Sequence, residues 1–194
     1  MKTTIIAVIL SITTGTLIAQ TQEYYRNGNT LKCNGTEYVV IKENPIGHLK
    51  IMDKEDHGSD LSYRTKDGKK IMLEAFANTG DVINFEMIDP AIKHIMNKYG
   101  FDIYNNQEIS SESIPLNDRT YNSVYMTIFF EENSKKVKSI RYFLPGYDTA
   151  KASTVPIEVY DEISKELKRI LAFSSNDLGK LLLYCSIFYM FVLK

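Results

Sequence analysis

Between residues 122 and 173 the apolar positions change from strand-like to helix-like spacing. Runs rich in apolar and aromatic residues extend from Val124 to Phe130 and from Val137 to Leu144, with a polar turn between them. Such runs, rich in β-branched and aromatic residues, predict two strands. Beyond Pro156 the apolar residues recur at intervals of three and four, at Val159, Ile163, Leu167, Ile170 and Leu171. This spacing predicts an amphipathic helix at about 156–172 that covers the hairpin.

The second strand of this hairpin contains an interruption of its alternation. Val137 has one phase, whereas Ile140, Tyr142 and Leu144 share the other. One additional residue restores the phase, and a β-bulge supplies it. The pattern therefore predicts a bulge at Lys138 or Ser139.

The amino-terminal half contains three further strand-like runs. Thr30 to Cys33 and Thr36 to Lys42 flank Asn34-Gly35, which is the strongest short signal for a tight hairpin turn. A third run, His48 to Met52, follows a turn rich in proline and glycine. These three runs predict an antiparallel meander.

The segment from 71 to 100 predicts a second hairpin followed by a helix. Ile71 to Phe76, which is also compatible with a helix, and Val82 to Ile88 flank a turn-like Asn-Thr-Gly-Asp sequence. A helix at about 90–99 then follows, with Asp89 as its cap, Pro90 in its first turn and Gly100 at its end. The predicted fold is a single α+β domain over residues 20–173, with a mainly antiparallel sheet and two packed helices.

Residues 1–19 have the three-part organisation of a secretory signal peptide. Lys2 precedes an apolar run, and small or polar residues lead to Leu17-Ile18-Ala19-Gln20. The run is much shorter than the roughly 20 residues that span a bilayer. Cleavage between Ala19 and Gln20 is predicted. Because no cysteine lies just after the apolar run, we expect a soluble periplasmic or extracellular protein and not a lipoprotein.

Charge and cysteine content restrict the partners. The formal net charge is −1, and removal of Lys2 with the leader makes it −2. A nucleic-acid ligand, which requires a basic surface, is therefore not expected.

Cys33 and Cys185 are far apart in sequence, and the sequence alone gives no reason to place them within bridging distance.

Motifs for catalysis or metal binding are not found. Starting from Asp53, a calcium loop would need an oxygen ligand at its fifth position, which is His57, and glutamate at its twelfth, which is Arg64. The sequence contains no H-E-x-x-H, G-x-S-x-G or P-loop pattern. No cofactor or metal is expected.

His94 lies beside the predicted helix stripe without a partner at helical spacing, so we expect an exposed or boundary histidine.

The long polar connection from Phe101 to Tyr121 contains the residue types that bind sugars and peptides. Connections of this length are often functional. The candidate ligand-binding residues are Tyr104, Asn105, Asn106 and Tyr121. The same residue types are also the usual content of an exposed loop.

Residues 174–194 form an atypical hydrophobic tail. Leu181 to Leu193 has almost no polar residue. Three alternatives remain: a last, fully buried strand, a membrane tether, or the out-of-frame end of a truncated gene. The run is short for a membrane span.

The chain resembles an uncharacterised family of small exported proteins from gut-dwelling Gram-negative anaerobes. The resemblance rests on the leader end Leu17-Ile18-Ala19-Gln20, the segment Val124 to Tyr142 with its Phe-Phe-Glu-Glu-Asn-Ser-Lys-Lys-Val turn, and the helix start Val155-Pro156-Ile157-Glu158. It covers Tyr24 to about Phe173. The resemblance implies an exported α+β domain of unknown function and supplies no catalytic residues.

Two functions are compatible with these features. The first is a non-enzymatic binding or interaction domain of the periplasm or cell surface, with an envelope protein or a glycan as partner. The alternative is a small envelope hydrolase that acts on glycan or peptide, with carboxylates brought together only by the fold.

Overall fold

The computed structural model describes residues 25–43, 47–56, 85–105, 108–109, 114–115, 119, 122–131, 136–145, 151–171 and 184–194. The predicted leader with Ala19 and Gln20, the run Ile71 to Phe76, and the candidate residues Asn106 and Tyr121 lie outside these ranges. In chain order the strands and helices are β1 (Thr30–Cys33), β2 (Thr36–Glu43), β3 (His48–Asp53), α1 (Phe85–Lys98), β4 (Ile103–Tyr104), β5 (Ser123–Glu131), β6 (Val137–Leu144), α2 (Ile157–Ile170) and β7 (Tyr184–Leu193).

The strands form one antiparallel sheet in the order β1-β2-β3-β6-β5-β7-β4. One sheet and two long helices confirm the α+β prediction for the described residues. The meander of β1, β2 and β3 is confirmed, and its third strand pairs with β6 of the later hairpin. The two hairpin units identified in the sequence therefore belong to the same sheet.

The Asn34-Gly35 turn has the backbone conformation that its sequence predicts. Asn34 has φ 47° and Gly35 has φ 87°, and the flanking pair is Cys33 opposite Thr36. Positive φ at both central residues is the requirement of a two-residue type I′ turn. Glycine carries no steric cost at the second position, which explains why the turn closes here.

The predicted bulge in β6 is confirmed at Lys138. Phe129 lies opposite Ser139, and Phe130 lies opposite Val137, so Lys138 is the additional residue. Val137, Ser139 and Ile140 are buried, whereas Lys138 is exposed. The bulge therefore lets buried residues on both sides of it keep their places in the sheet.

The first helix begins earlier than the sequence predicted. Phe85 to Ile88 form the first turn of α1, so the predicted strand Val82 to Ile88 is wrong over these residues. Asp89 is not the cap, because it lies inside the helix and is buried. The physical reason is that Ile88 lies one helical repeat before Ile92 and continues the buried apolar stripe of Ile88, Ile92, Ile95 and Met96.

The second helix agrees closely with its prediction. The helix spans Ile157 to Ile170, with Pro156 immediately before it and Lys168 and Arg169 in its last turn. Val159, Ile163 and Leu167 are fully buried, as their spacing requires. Both helices pack on the same face of the sheet, where Val40, Ile51, Tyr142, Met126 and Tyr189 form one buried row across five strands.

The hydrophobic tail forms a strand of the sheet. β7 pairs with β5 over all but its last residue, from Ser123 opposite Val192 to Glu131 opposite Tyr184. Tyr189, Phe191, Val192 and Leu193 are buried, whereas Met190 is half-buried. Of the three alternatives for the tail, residues 184–193 therefore adopt the strand, although not every residue of it is buried.

The described helices include none that is long and apolar enough to cross a membrane.

Candidate functional site

The second face of the sheet, opposite the two helices, carries an unusual row of side chains. Ile41, Lys50, Phe143, Tyr125 and Met190 lie side by side on β2, β3, β6, β5 and β7. All five are half-buried, in contrast to the fully buried row on the helix-covered face. We call these five residues the cross-strand row.

Cations in and around the cross-strand row lie over aromatic rings. Lys50 Nζ lies 5.3 Å from the centre of the Phe143 ring, and the Arg141 guanidinium lies 4.8 Å from that of Phe129. The His48 ring stacks on Tyr125 at 6.2 Å between centroids and an interplanar angle of 15°. Such contacts hold flat rings and positive charges together in one place.

The electrostatics of the row follow from its partial burial. Burial lowers the pKa of Lys50, and the nearby positive charge of Arg141 lowers it further. The row itself contains no carboxylate. A negative charge placed close to Lys50 would favour its charged form.

The sequence-predicted candidates Tyr104 and Asn105 have separate structural surroundings. Tyr104 is half-buried in β4 and packs with Met190 against a small core of Ile109, Ile114 and Val192. Lys194 lies over its ring, with Nζ 4.4 Å from the ring centre. Tyr104 therefore lies near one end of the cross-strand row.

Asn105 has its polar groups engaged by Glu108. The Glu108 N–H donates to Asn105 Oδ1 at 2.9 Å, and the Asn105 N–H donates to Glu108 Oε2 at 2.9 Å. This reciprocal arrangement is a capping box. Lys93 pairs with the same carboxylate at 2.8 Å. The role of Asn105 in this geometry is to start a helical turn.

A buried polar cluster that sequence reasoning missed surrounds Asp161 on α2. Its carboxylate is 1% exposed and accepts hydrogen bonds from Tyr38 Oη at 2.9 Å, Asn34 Nδ2 at 2.8 Å and Lys165 Nζ at 2.7 Å. The Cys33 thiol also donates to it, at 3.6 Å. The sequence offered only one signal, the Asp161 and Lys165 pair at helical spacing, and that spacing is equally common on exposed helices.

The hydrogen bonds of this cluster favour the ionised form of the Asp161 carboxyl. Burial alone would raise the pKa of Asp161, but the hydrogen bonds from Lys165, Asn34 and Tyr38 outweigh it and hold the pKa below its ordinary value. Burial, followed by the Asp161 charge, raises the pKa of the Cys33 thiol to about 11. A thiol with this pKa is a poor nucleophile at neutral pH, because the thiolate is the reactive form.

Cys33 is a free thiol, so it forms no disulfide with Cys185. The physical reason is strand order. β1 and β7 are separated by four intervening strands, and neighbouring strands lie about 4.8 Å apart. The separation is well beyond the bridging distance of two cysteines.

Two surface hollows among the described residues are lined in part by carboxylates. One, of about 470 Å³, is lined by residues that include Glu37, Asp53 and Glu55. Hydrogen bonds from Lys32 and Lys54 lower the pKa of Glu37 to about 2. Asp56, which follows in the 3₁₀ turn Lys54–Asp56, is buried. The described residues contain no cluster of three or more metal ligands.

The other hollow, of about 370 Å³, lies between the helices and includes His94, Glu162 and Glu166. His94 is exposed, as predicted. Hydrogen bonds from Lys98 and Tyr99 lower the pKa of Glu162, and one from Arg169 lowers that of Glu166. A general acid needs a raised pKa, whereas these hydrogen bonds lower the pKa of both carboxyls. Glu162 and Glu166 therefore give no support to the hydrolase alternative.

Comparison with known proteins identifies a similar fold. No family model and no curated protein matches the sequence. Among solved structures, the crystal structure of a DUF5043 family protein from Bacteroides uniformis ATCC 8492 matches with a TM-score of 0.63. The chain shares the fold of this DUF5043 protein. The match covers 86% of each chain at 17% sequence identity, so it shows the fold alone.

The DUF5043 protein agrees with part of the resemblance drawn from the sequence. It comes from Bacteroides and carries a family label without a stated activity. The similarity over most of both chains confirms that the sheet and its helices form a known arrangement.

Proposed function

We propose that the protein is an exported binding domain of the cell envelope and that the second face of its sheet binds an acidic sugar. The observation that carries the proposal is the cross-strand row, in which Lys50 lies over Phe143 beside Tyr125. A flat ring packs against the apolar face of a sugar, and a neighbouring cation pairs with its carboxylate. A second contact of this kind, Arg141 over the buried Phe129 ring, lies further along β5 and β6.

Charge and geometry support this ligand class over others. The chain is near neutral, with a formal net charge of −1, so a long polyanion would gain little from the rest of the surface. A single acidic sugar needs only a local positive charge beside the rings. The row also lies on paired strands, which hold its side chains at fixed spacing and reduce the entropy lost on binding.

Titration calorimetry with acidic oligosaccharides and with neutral ones of the same length tests the proposal. We expect heat of binding with the acidic sugars alone. Phe143→Ala and Lys50→Met should each weaken binding about tenfold or more, because each removes one half of the ring and cation pair. Lys168→Met is the matched control, since Lys168 is exposed on α2 and lies on the helix-covered side.

Circular dichroism and thermal unfolding verify that each variant is folded. Equal binding of neutral and acidic sugars would contradict the charge requirement. Absence of binding to any acidic sugar, or equal weakening by Lys168→Met, would contradict the site.

A further inference from the structure

The outer edge of β7 is a long stretch of strand without charge. β4 pairs only with the end of β7, through Ile103 opposite Leu193 and Tyr104 opposite Val192. From Tyr184 to Met190 no other strand of the described chain lies on this outer side. The strand sequence from 184 to 193 contains no charged residue, no proline and no glycine.

Hydrogen bonding at the end of β7 shows which backbone groups point outward. The Lys194 N–H donates to the Asp102 carbonyl at 2.9 Å, on the side of β4. Backbone groups alternate sides along a strand with a period of two. The N–H and C=O groups of Tyr184, Ser186, Phe188 and Met190 therefore point away from β5, along the outer edge.

The other edge of the sheet has the usual protection against pairing. β1 has four residues, and it carries Lys32 in an ion pair with Glu37 at 2.8 Å. Short strands and lysine are the common means by which proteins prevent edge-to-edge association. The β7 edge is longer, and its strand contains no lysine.

We propose that β7 pairs antiparallel with β7 of a second copy of this chain, which joins two sheets into one. The outward residues are symmetric about Ile187. In a twofold register centred there, Tyr184 lies opposite Met190 and Ser186 opposite Phe188 of the second copy. All the outward backbone groups of both strands then find partners, and no like charges meet.

The proposed dimer is closed. A twofold contact uses the same edge on both copies, so among the described strands it leaves the edges of β1 and of the two-residue β4. Further growth through strand pairing would require those short edges. We therefore expect a dimer and not a fibre.

Sedimentation velocity of the chain from Gln20 to Lys194, over about a hundredfold range of concentration, tests the proposal. We expect a species of twice the chain mass that dissociates on dilution. Ser186→Pro should raise the dimer dissociation constant at least about tenfold, because it removes an outward N–H from each copy. A wild-type chain that stays monomeric at every concentration would overturn the proposal.

Thr30→Pro is the matched control at the other edge. The Asn29 carbonyl accepts a hydrogen bond from the Val40 N–H, so the Thr30 N–H points away from β2. This variant should lose no dimer. Equal loss in both variants, or dimerisation unaffected by Ser186→Pro, would contradict pairing through β7.

Hydrogen exchange of the wild-type chain gives a second readout that needs no variant. The amides of Ser186 and Phe188 should exchange faster at low concentration, while those of Cys185 and Ile187, which point to β5, should not change. This measurement decides the question if Ser186→Pro fails to fold. Exchange of the Ser186 and Phe188 amides that does not depend on concentration would overturn the proposal.

Discussion

Asp161 shows how a single residue can connect the helix layer to the sheet. It lies on α2, yet two of its hydrogen-bond donors, Asn34 and Tyr38, belong to the first hairpin. Lys165, one turn along the helix, is about half exposed and brings its charge in from solvent. The carboxylate is thus both buried and fully hydrogen-bonded, the condition under which a buried charge is tolerated.

Replacement of this carboxylate should be costly. We expect Asp161→Asn to lower the free energy of unfolding by about 2–4 kcal/mol, because the amide nitrogen faces donors and leaves a buried group without an acceptor. Urea unfolding at neutral pH measures the change. Asp102→Asn is the control, since Asp102 is 62% exposed, and it should change stability by no more than about 0.5 kcal/mol.

The pH dependence of that difference provides an independent check. The folded-state pKa of Asp161 lies below its ordinary value, so its charge stabilises the fold at pH values above the ordinary value. That contribution is lost as the pH falls through the folded-state pKa. The stability difference between wild type and Asp161→Asn should therefore shrink below about pH 4. A difference that stays constant down to pH 2 would contradict this role.

At the scale of elements, β7 determines how the centre of the sheet is completed. It covers the side of β5 that does not pair with β6, over the full length of β5. It also supplies Tyr189, whose hydroxyl donates to the buried carboxylate of Asp89 on α1. β7 is therefore hydrogen-bonded to β5 through its backbone and to α1 through the Tyr189 side chain.

A chain that ends at residue 183 should fail to fold. The truncation removes the buried side chains Phe191, Val192 and Leu193, each of which stabilises by about 1.5–3 kcal/mol, and exposes the edge of β5. The loss is comparable to the whole stability of a typical domain. We expect no cooperative thermal transition by circular dichroism.

A chain that ends at residue 193 serves as the control for this truncation. It loses only Lys194, whose side chain is close to Tyr104 and Asp102 at the surface, and should keep a cooperative transition. Normal folding of the shorter chain, ending at 183, would instead support the alternative that residues 174–194 are an aberrant end.

At the scale of the whole molecule, the two faces of the sheet differ in composition. The helix-covered face contains the main core, including Tyr142 and Tyr160, whose hydroxyls donate to the Tyr160 and Ala152 carbonyls respectively. The second face carries the half-buried cross-strand row and, at its β7 end, the small core of Ile109, Ile114 and Val192. The proposed ligand therefore lies on the face opposite the main core.

Export of the chain is the remaining part of the proposed function, and it has a direct test. Expressed in a Gram-negative host, the full chain should appear in the periplasm with Gln20 as its first residue, which intact mass measures. Val8→Lys should block this by interrupting the apolar run, whereas Thr3→Lys, which adds charge before the run, should not. Periplasmic protein that retains residues 1–19 would contradict the predicted cleavage.

The sequence by itself determined the local units of this protein. The Asn34-Gly35 turn, the phase change at Lys138 and the helix stripe through Val159 and Leu167 are all encoded by residues near one another in the chain. Turn geometry and the two-residue and 3.6-residue periods of apolar positions are short-range properties, so the sequence alone encodes them. The start of α1 is encoded less clearly, because Pro90 is typical of a first turn although the buried stripe begins at Ile88.

Only the tertiary structure decided which units lie together. Three arrangements join residues that are distant in sequence. β7 lies beside β5, and Cys33, Asn34 and Tyr38 converge on Asp161. Lys50 aligns with Phe143 and Tyr125. Strand order and register set these contacts, and neither is encoded in any local pattern. For the same reason the candidates chosen from one polar connection, Tyr104 and Asn105, did not include the cross-strand row, whose members come from five strands.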